Sequence, residues 1–292
     1  MWCWYYLADC GNWHQFEDDF DLPVNSKDVE RLYLQNPKGV LNAIFSSYRS
    51  RIDFSAMSET DLTTGRQRRI HRSSKIEKSC SCFSTAPVFW EQFDPACPYQ
   101  WIPLSEPSPE YQTVANYVKT DGLLDRSIVS INRIQNLDLW ELYCRKKKHL
   151  MRIQGIKEIQ ERRLFHGTKI KNVRSICKYN FDVRLAGQNG HSFGKGIYFA
   201  KHATYADKYS DSSTDLLGMH GGTTQHSGQT KIIILARVMV GKSILGQSLF
   251  LKPDHGRLEN VHDSCVDDIS HPNIFVIFDP NQIYPEYLIE YR

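Results

Sequence analysis

The chain has 292 residues, of which 41% are hydrophobic and 24% charged, so it is long enough for about two folded domains and is not a disordered tail. Its formal net charge of only +3 is not the footprint of an obligate nucleic-acid-binding protein. No apolar run reaches the ~18 residues of a membrane-spanning helix, and the first residues lack the pattern of a secretory signal. We therefore expect an intracellular protein, of the nucleus or the cytoplasm, that does not insert into a membrane.

Eight cysteines are present, and none belongs to a CxxC pair or has a His-x3-5-His partner. This pattern argues against a structural zinc site, so we predict no bound metal. Two basic runs, at 66–72 and 145–149, are more typical of solvated surfaces than of anion-binding sites. Binding of RNA through these runs rests on charge alone, and we expect no nucleic-acid partner.

The first ~75 residues predict a small β-rich unit with one helix. The predicted hairpin, helix and two further strands cover residues 4–7, 13–16, 28–33, 48–54 and 67–70. Ser26 is placed to N-cap the helix, which ends before an Asn-Pro-Lys-Gly turn. Trp4 and Trp13 flank the hairpin, and we expect both to belong to the core rather than to a stacking surface.

Residues 73–108 are rich in proline and show no sustained hydrophobic period, and within them we assign 76–97 as a linker. The pattern from residue 98 onward is mixed α/β, so we divide the chain into 1–75, 76–97 and 98–292. The helices and strands predicted in the last part lie at 111–118, from 137 into the second basic run, and at 128–131, 163–166, 196–199, 231–240, 273–278 and 287–291.

The most informative segment runs from Phe165 to Tyr209. It starts with Phe-His-Gly-Thr at 165–168 and continues with Phe-Gly-Lys-Gly-Ile-Tyr-Phe-Ala at 193–200, where glycines around a lysine permit close backbone approach. Tyr209 follows Tyr198 by eleven residues, past a predicted helical stretch. These residues suit a cleft that stacks a flat ring between tyrosines and hydrogen-bonds ribose hydroxyls. They equally suit core aromatics beside a tight turn, because the glycine pattern is weak by itself.

Three motifs, in this order, resemble the catalytic domain of the PARP-type ADP-ribosyltransferases: His-Gly-Thr at 166–168, the 193–200 segment, and the strand at 273–278. The segment 281–289 is similar to the family's mono-ADP-ribosylating branch, and the first ~72 residues resemble a WWE domain. The resemblance implies an α+β protein. A small β-rich WWE domain would precede a mixed α/β catalytic domain with split, mostly antiparallel sheets.

The resemblance also implies NAD as co-substrate and assigns several residues to its binding. The implied NAD-binding residues are His166, Gly167, Thr168, Arg184, Tyr198 and Tyr209. By family likeness His166 would bind the adenosine ribose and Gly167 the nicotinamide amide through its backbone. Thr168 would lie near the same ribose, and Arg184 near the adenosine half.

The catalytic positions that the resemblance implies are His166, Tyr198 and Ile274. Tyr198 and Tyr209 would enclose the nicotinamide ring, whose positive charge suits aromatic faces. Polymerising members carry a glutamate at the third position, which acts on an acceptor hydroxyl as a general base. Isoleucine has neither a lone pair nor a proton, so we predict transfer of one ADP-ribose unit, with release of nicotinamide, to proteins that include the chain itself.

Two departures from the family pattern leave a second interpretation open. Ala206 stands where the family usually has a serine that bonds the nicotinamide carboxamide, a loss of about 0.5–1.5 kcal/mol. Glu59 and Asp61 replace the glutamine and asparagine with which a WWE domain binds poly(ADP-ribose), and carboxylates repel its pyrophosphate. Nearby basic residues that offset this repulsion are Arg49, Arg51, Arg68 and Arg69. The alternative is a catalytically weak or silent scaffold that binds poly(ADP-ribose) or partner proteins.

Overall fold

The computed structural model describes residues 2–7, 13–16, 24–45, 48–62, 65, 67–74, 86–87, 90–92, 94, 96–156, 158–185, 191–211 and 230–292. Contacts divide the chain into two compact units, Met1–Gln92 with Ser108–Glu110, and Phe93–Pro107 with Tyr111–Arg292. Most of the linker predicted at 76–97 lies outside the described residues, so its bounds stay a prediction. Within the described part of the chain, none of the helices has the length and apolar character to cross a membrane.

The N-terminal unit is a six-stranded antiparallel sheet with one helix, in the order β2-β1-β6-β5-β4-β3. Its elements are β1 (Cys3–Leu7), β2 (Trp13–Gln15), α1 (Ser26–Gln35), β3 (Val40–Phe45), β4 (Tyr48–Asp53), β5 (Ser58–Asp61) and β6 (Gln67–Ser73). The predicted hairpin, helix and two strands are confirmed. Strands β3 and β5 were not predicted, because neither has the clean alternation of apolar and polar residues that signals a strand.

The helix cap differs from the prediction by one residue. Asn25, not Ser26, is the N-cap: its side-chain oxygen accepts hydrogen bonds from the first backbone N–H groups of the helix. Ser26 is buried and accepts a hydrogen bond from the N–H of Trp4 at 2.9 Å. It therefore ties α1 to β1 instead of capping the helix.

The two tryptophans of the hairpin differ in burial. Trp4 is fully buried, and its indole N–H donates to Glu30 in α1 at 2.9 Å, which confirms it as a core residue. Trp13 is only partly buried and packs against His71, with ring centroids 5.3 Å apart.

The C-terminal unit is a nine-stranded sheet in the order β12-β13-β14-β10-β9-β11-β15-β8-β7, antiparallel except at β12–β13. Its helices are α2 (Pro109–Thr120), α3 (Leu137–Gln154), α4 (Ile170–Tyr179) and α5 (Ala203–Ala206), with 3-10 helices at Val183–Leu185, Asp207–Tyr209 and Pro280–Gln282. Its strands are β7 (Gln100–Pro103), β8 (Ile128–Gln135), β9 (Glu161–Gly167), β10 (Ile197–Ala200), β11 (Lys231–Met239), β12 (Ser243–Leu245), β13 (Ser264–Val266), β14 (Ile274–Ile277) and β15 (Ile283–Tyr291). The α+β class is confirmed.

Apolar residues cover both faces of this sheet. Along β9, Leu164 belongs to the core cluster on one face and Phe165 to the cluster on the other. The neighbouring strand β11 does the same with Ile234 and Leu235. Since successive side chains of a strand point to opposite faces, both faces are buried, which is why β11 has a continuous apolar run at 232–236.

The sheet opens between β9 and β10. Strand β9 pairs with β11 over all of its seven residues, from Glu161 to Gly167. It pairs with β10 only where Phe165 lies opposite Ala200. The two strands therefore separate beyond this pair, at the level of His166 and Tyr198.

Candidate active site

His166 lies at the point where β9 and β10 separate. Its ring meets Phe181 edge-on with centroids 4.8 Å apart, and it also contacts Phe199 at 5.5 Å. Its Nδ1 lies 2.9 Å from the backbone carbonyl oxygen of Tyr198. This side-chain hydrogen bond joins the two strands where their ladder has ended, so it fixes both the ring and the start of the gap.

The protonation state of His166 follows from this geometry. A carbonyl oxygen only accepts hydrogen bonds, so Nδ1 carries the proton. Burial among aromatic rings lowers the pKa of His166 to about 4, although the bond to the Tyr198 carbonyl acts in the opposite direction. The imidazole is therefore neutral at physiological pH, and its Nε2 is left as a hydrogen-bond acceptor.

Gly167 is the last residue of β9 and lies against the segment that follows Tyr198. A Cβ atom at this position would come within 1.9 Å of the backbone oxygen of Ala206 and 3.0 Å of the Cβ of Tyr209. Glycine is required here by close packing of two backbones. The contact brings the end of β9 together with α5 and the 3-10 turn that carries Tyr209.

Tyr198 is partly buried, and its hydroxyl is held by the loop before it. The hydroxyl donates to the carbonyl of Gly194 at 2.9 Å and accepts from the N–H of Phe193 at 3.0 Å. Burial raises the pKa of Tyr198. The hydroxyl is thus occupied within the protein, and the ring face is the part of Tyr198 available to a ligand.

The glycines of the 193–200 motif are required by the protein's own packing. Gly194 has a φ of 127°, and a Cβ on it would lie 2.7 Å from the ring of Phe278. A Cβ on Gly196 would lie 2.6 Å from the carbonyl oxygen of Ile277. The close approach that these residues permit is to β14 and the residue after it, and it positions Tyr198 indirectly.

Tyr209 is exposed at the end of the 3-10 turn after α5, beside a tyrosine that the sequence analysis did not single out. Its hydroxyl lies 3.5 Å from that of Tyr205, and the two ring centroids are 5.8 Å apart. This hydrogen bond, with burial, raises the pKa of Tyr205 to about 12. The spacing of four residues in a helical stretch is the signal that pairs them. Asp207, bonded to Lys231 and Tyr291, anchors the turn.

Thr168 and Arg184, the other two predicted ligand residues, are placed differently. Thr168 is buried at the end of β9, where its hydroxyl accepts a hydrogen bond from the amide of Asn172 at 3.2 Å. Arg184 is exposed on the 3-10 turn after α4, where its guanidinium makes two hydrogen bonds to Asp182 at 2.9 and 2.7 Å. Thr168 directly follows Gly167 and so lies beside the other candidates. The contacts described for Arg184 do not include any of these candidates.

Ile274 is the first residue of β14 and is buried. It lies opposite Ala200 of β10, two residues from the pair formed by Val276 and Tyr198. Side chains of paired residues and of residues two apart share one face of a sheet, so Ile274 and Tyr198 share a face. Ile274 packs in a small apolar cluster with Cys265 and Val276.

A buried ion cluster joins β9 to the neighbouring strands β11 and β15. Arg163 donates two hydrogen bonds of 2.8 Å to Glu286 of β15, and Arg237 of β11 donates a third at 3.0 Å. Burial would raise the pKa of Glu286, but the two guanidinium groups outweigh it and lower that pKa to about 2. The carboxylate is therefore charged, and it links three adjacent strands immediately before His166.

The WWE-like unit contains the second candidate site, and its two carboxylates are not exposed. Glu59 and Asp61 are both buried in β5. Glu59 accepts hydrogen bonds of 2.6 Å from both Ser50 and the Nε of Arg68. The guanidinium of Arg68 in turn stacks 3.7 Å above the ring of Tyr6. The negative charge of Glu59, one of the two carboxylates expected to repel a phosphate, is thus neutralised inside the unit.

Within the described part of the chain, His, Cys, Asp and Glu side chains do not gather in groups of three that could hold a metal ion. Residues that could hold a dinucleotide are those around the separation of β9 and β10. They combine the neutral imidazole of His166, which has a free acceptor nitrogen, with the backbone of Gly167 and the rings of Tyr198 and Tyr209. The described ring contacts do not include one between these two tyrosines.

Comparison with known proteins agrees with this architecture. Residues 108–262 match the Poly(ADP-ribose) polymerase catalytic domain, and residues 2–72 match the WWE domain. Protein mono-ADP-ribosyltransferase PARP11 of Homo sapiens is 43% identical over 313 residues, which cover 100% of this chain and 90% of the relative. The Mus musculus protein of the same name is 42% identical, covering 100% and 92%. Protein mono-ADP-ribosyltransferase PARP12 of Mus musculus is 34% identical over 99% of this chain and 42% of its own.

The catalytic-domain match covers more than half of the chain, and the first two relatives align along its whole length. The motifs that carried the resemblance, at 166–168 and 193–200, lie within that match, and the structure places them on adjacent strands. The chain therefore belongs to the poly(ADP-ribose) polymerase family, with a WWE domain ahead of the catalytic domain.

Proposed function

We propose that the protein is an NAD-dependent mono-ADP-ribosyltransferase that transfers one ADP-ribose unit to side chains of protein acceptors, itself included. The observation that carries the proposal is the hydrogen bond from His166 to the Tyr198 carbonyl across the gap between β9 and β10. It sets a neutral imidazole beside a tyrosine ring in a place that the ladder leaves open. The names of the relatives, all protein mono-ADP-ribosyltransferases, support the same activity.

The residues present fit NAD. Nε2 of His166 would accept a hydrogen bond from a hydroxyl of the adenosine ribose, because Nδ1 is already committed. The backbone of Gly167 would hold the nicotinamide amide, and Thr168 would lie near the adenosine ribose. The rings of Tyr198 and Tyr209 would take the nicotinamide between them. The assignment of Arg184 to the adenosine half rests on the resemblance alone.

The reaction requires little covalent chemistry from the protein. The bond between C1′ of the nicotinamide ribose and the ring nitrogen breaks, and neutral nicotinamide leaves with the bonding electron pair. The acceptor nucleophile forms a new bond to C1′ and releases its proton to solvent. Since the transition state resembles an oxocarbenium ion, the site contributes mainly by holding ring and riboses in one pose.

Ile274 supports the transfer of a single unit. A side chain without a proton acceptor, buried in an apolar cluster, supplies no general base for a ribose hydroxyl of a growing chain. A protein nucleophile that is already reactive does not depend on such a base. The proposed product is therefore one ADP-ribose on the acceptor.

Incubation of the full chain with NAD labelled in its adenosine half tests the proposal. We expect label on the protein itself and on proteins of a lysate, and its loss in His166→Ala. His149→Ala, at an exposed histidine on α3, is the matched control and should leave labelling unchanged. Absence of label from the wild-type protein would favour the silent scaffold instead. A ladder of long products would contradict the single-unit transfer.

A second function is proposed for the WWE domain, which is binding of poly(ADP-ribose). The supporting observation is that Arg68 neutralises Glu59, which removes one of the two repelling charges predicted from the sequence. Titration of the full chain with iso-ADP-ribose, with the catalytic site saturated by nicotinamide, should show saturable binding. No binding at millimolar ligand would leave this domain a structural or protein-binding role. The compartment in which the protein works stays a prediction.

A further inference from the structure

A cavity of about 300 Å³ lies in the catalytic unit, bounded by the end of α2, the start of β9 and the residues that follow β10. Its polar lining includes Asp121, Arg162, Arg163, Lys201 and His202. None of these residues belongs to the proposed NAD-binding set. The cavity therefore has no role in the function described so far.

The cavity lies beyond the end of the strand that carries Tyr198, because Lys201 and His202, which line it, directly follow β10. The backbone N–H of Lys201 donates to the carbonyl of Asn273 at 2.8 Å, and the residue after Asn273 is Ile274. Ala200, immediately before Lys201, lies opposite Ile274 in the sheet. At a rise of ~3.3 Å per residue, Lys201 is about 10 Å along the strand from Tyr198. A peptide whose nucleophile lies near the nicotinamide ribose would thus place a residue a few positions away at this cavity.

The basic side chains of the cavity are short of acidic partners. The Nε of Arg162 is buried without a hydrogen-bond partner, and within the described residues Arg162 and Lys201 make no ion pair. Arg163 is bonded to Glu286, but that carboxylate also serves Arg237. One acidic residue, Asp121, belongs to the lining. The local charge is therefore positive, which favours a carboxylate ligand.

The walls of the cavity are held by hydrogen bonds. His202 Nδ1 donates to the carbonyl of Asp121 at 2.8 Å, and the hydroxyl of Tyr117 donates to the carbonyl of Arg163 at 2.7 Å. The first bond links the segment after β10 to the turn after α2, and the second links α2 to β9. A ligand would meet a site that is already formed, which lowers the entropic cost of binding.

We propose that this cavity is a docking site for an acidic segment of the protein acceptor, with Arg162 and Lys201 binding its carboxylates. The inference rests on the proposed function, because it assumes that a protein segment reaches the nicotinamide ribose. A protein rather than an ADP-ribose chain is the occupant because Ile274 supplies no base for chain growth. The cavity selects acceptors by charge near the modified side chain and leaves the NAD chemistry unchanged.

Binding of hexaglutamate to the full chain tests the proposal directly. The peptide carries an uncharged dye and binding is followed by fluorescence anisotropy, with hexaglutamine as the neutral control. We expect hexaglutamate to bind and hexaglutamine not to, and binding to weaken as salt is added. Release of nicotinamide from NAD with water as acceptor is measured on the same samples.

Four variants assign the binding to the cavity. Arg162→Gln with Lys201→Gln should weaken hexaglutamate binding roughly tenfold, and Lys201→Gln alone, at an exposed residue, about fivefold. Asp121→Asn should strengthen it about threefold, since a like charge is removed. The control, Lys252→Gln with Arg257→Gln, removes the same charge outside the cavity and should leave binding unchanged. None of the four should alter nicotinamide release more than about twofold, since none touches the NAD-binding residues.

The two failures are distinguishable. If hexaglutamate binds the Lys201 variants as tightly as the wild-type protein, or if hexaglutamine binds equally well, the docking site is wrong even though nicotinamide is released. If nicotinamide is not released by the wild-type protein, the proposed function fails, whatever the peptide result.

Discussion

The imidazole Nδ1 of His166 donates a hydrogen bond to the carbonyl oxygen of Tyr198 at 2.9 Å, and this bond replaces the ladder between two diverging strands. It settles the tautomer of the ring, because the carbonyl has no proton to give. It also ties the residue that would bind ribose to the residue that would stack on nicotinamide. A displacement of either strand therefore moves both ligand contacts together.

The first prediction concerns pH. Since the pKa of His166 is lowered to about 4, we expect NAD binding to be flat between about pH 5 and 8 and to weaken as the pH approaches 4. The stability of the fold should decrease over the same range. Below pH 6.5, the ordinary pKa of histidine, His166 is protonated in the unfolded state but stays neutral in the folded state, so the free energy of unfolding falls from pH 6.5 towards 4. The NAD dissociation constant, measured across this range, checks the prediction. An inflection near 6.5 that disappears in His166→Ala would show an ordinary histidine and contradict it.

The second prediction concerns Ala206, whose backbone packs against Gly167. Ala206→Ser introduces the hydroxyl usual in the family, and one neutral hydrogen bond to the carboxamide should strengthen NAD binding about two- to tenfold. Ala203→Ser, one turn earlier and fully buried among apolar residues, is the control and should lower stability without raising affinity. The NAD dissociation constant and the melting temperature are the measurements. Unchanged affinity in a stable Ala206→Ser protein would show that the position does not meet the ligand.

The third prediction concerns Ile274. Ile274→Val should lower the free energy of unfolding by about 0.5–1.5 kcal/mol, since it removes one buried methylene. Because the side chain supplies no chemical group, nicotinamide release should stay within about twofold of wild type, and products should remain single units. Chemical denaturation measures the free energy of unfolding, and gel analysis of the labelled products measures their length. A large loss of activity in a stable variant would reveal a chemical role that an aliphatic side chain should not have.

The fourth prediction concerns the Glu286 cluster beneath β9. Glu286→Gln removes the buried carboxylate that Arg163 and Arg237 share and should cost about 3–5 kcal/mol. The pKa of this carboxyl falls from 4.5 to about 2 on folding, so its contribution is present above pH 4.5 and is lost as the pH falls towards 2. Urea denaturation from pH 7 down to 3 should show this loss in the wild-type protein and a flatter profile in the variant. Glu158→Gln, at an exposed carboxylate, should match the wild type.

The fifth prediction concerns the WWE domain. Glu59 holds Arg68 by a hydrogen bond of 2.6 Å, so a phosphate ligand must compete with it for the guanidinium. Glu59→Gln should therefore destabilise the domain, because Arg68 loses its 2.6 Å ion pair with a buried carboxylate, and should increase the stabilisation that iso-ADP-ribose confers. The shift in melting temperature with ligand, compared between variant and wild type, is the measurement. An equal shift in both would show that Arg68 does not contact the ligand.

The sequence was most informative where spacing or hydrogen-bond chemistry is local. The helix predicted at 28–33 is present at 26–35, with Asn25 rather than Ser26 as its cap, and the strand predicted at 231–240 is present at 231–239, where the chain has an unbroken apolar run. Strands β3 and β5 were not predicted, because pairing with neighbouring strands stabilises segments whose own sequence pattern is weak. Tyr205 was not predicted, although its spacing of four residues from Tyr209 in a helical stretch is a local signal; the 3.5 Å distance between the two hydroxyls shows the pair.

By itself the sequence determined the kind of protein: the order of two domains, the chemistry of the residues at 166–168 and 198, and the absence of a carboxylate at 274. Tertiary structure alone decided the protonation of His166, the neutralisation of Glu59 by Arg68, and the cavity lined by Arg162 and Lys201. Residue types carry chemistry in any context, so motifs reveal them. A pKa, an ion pair and a cavity each depend on distances between residues far apart in the chain, and only the folded structure sets those distances.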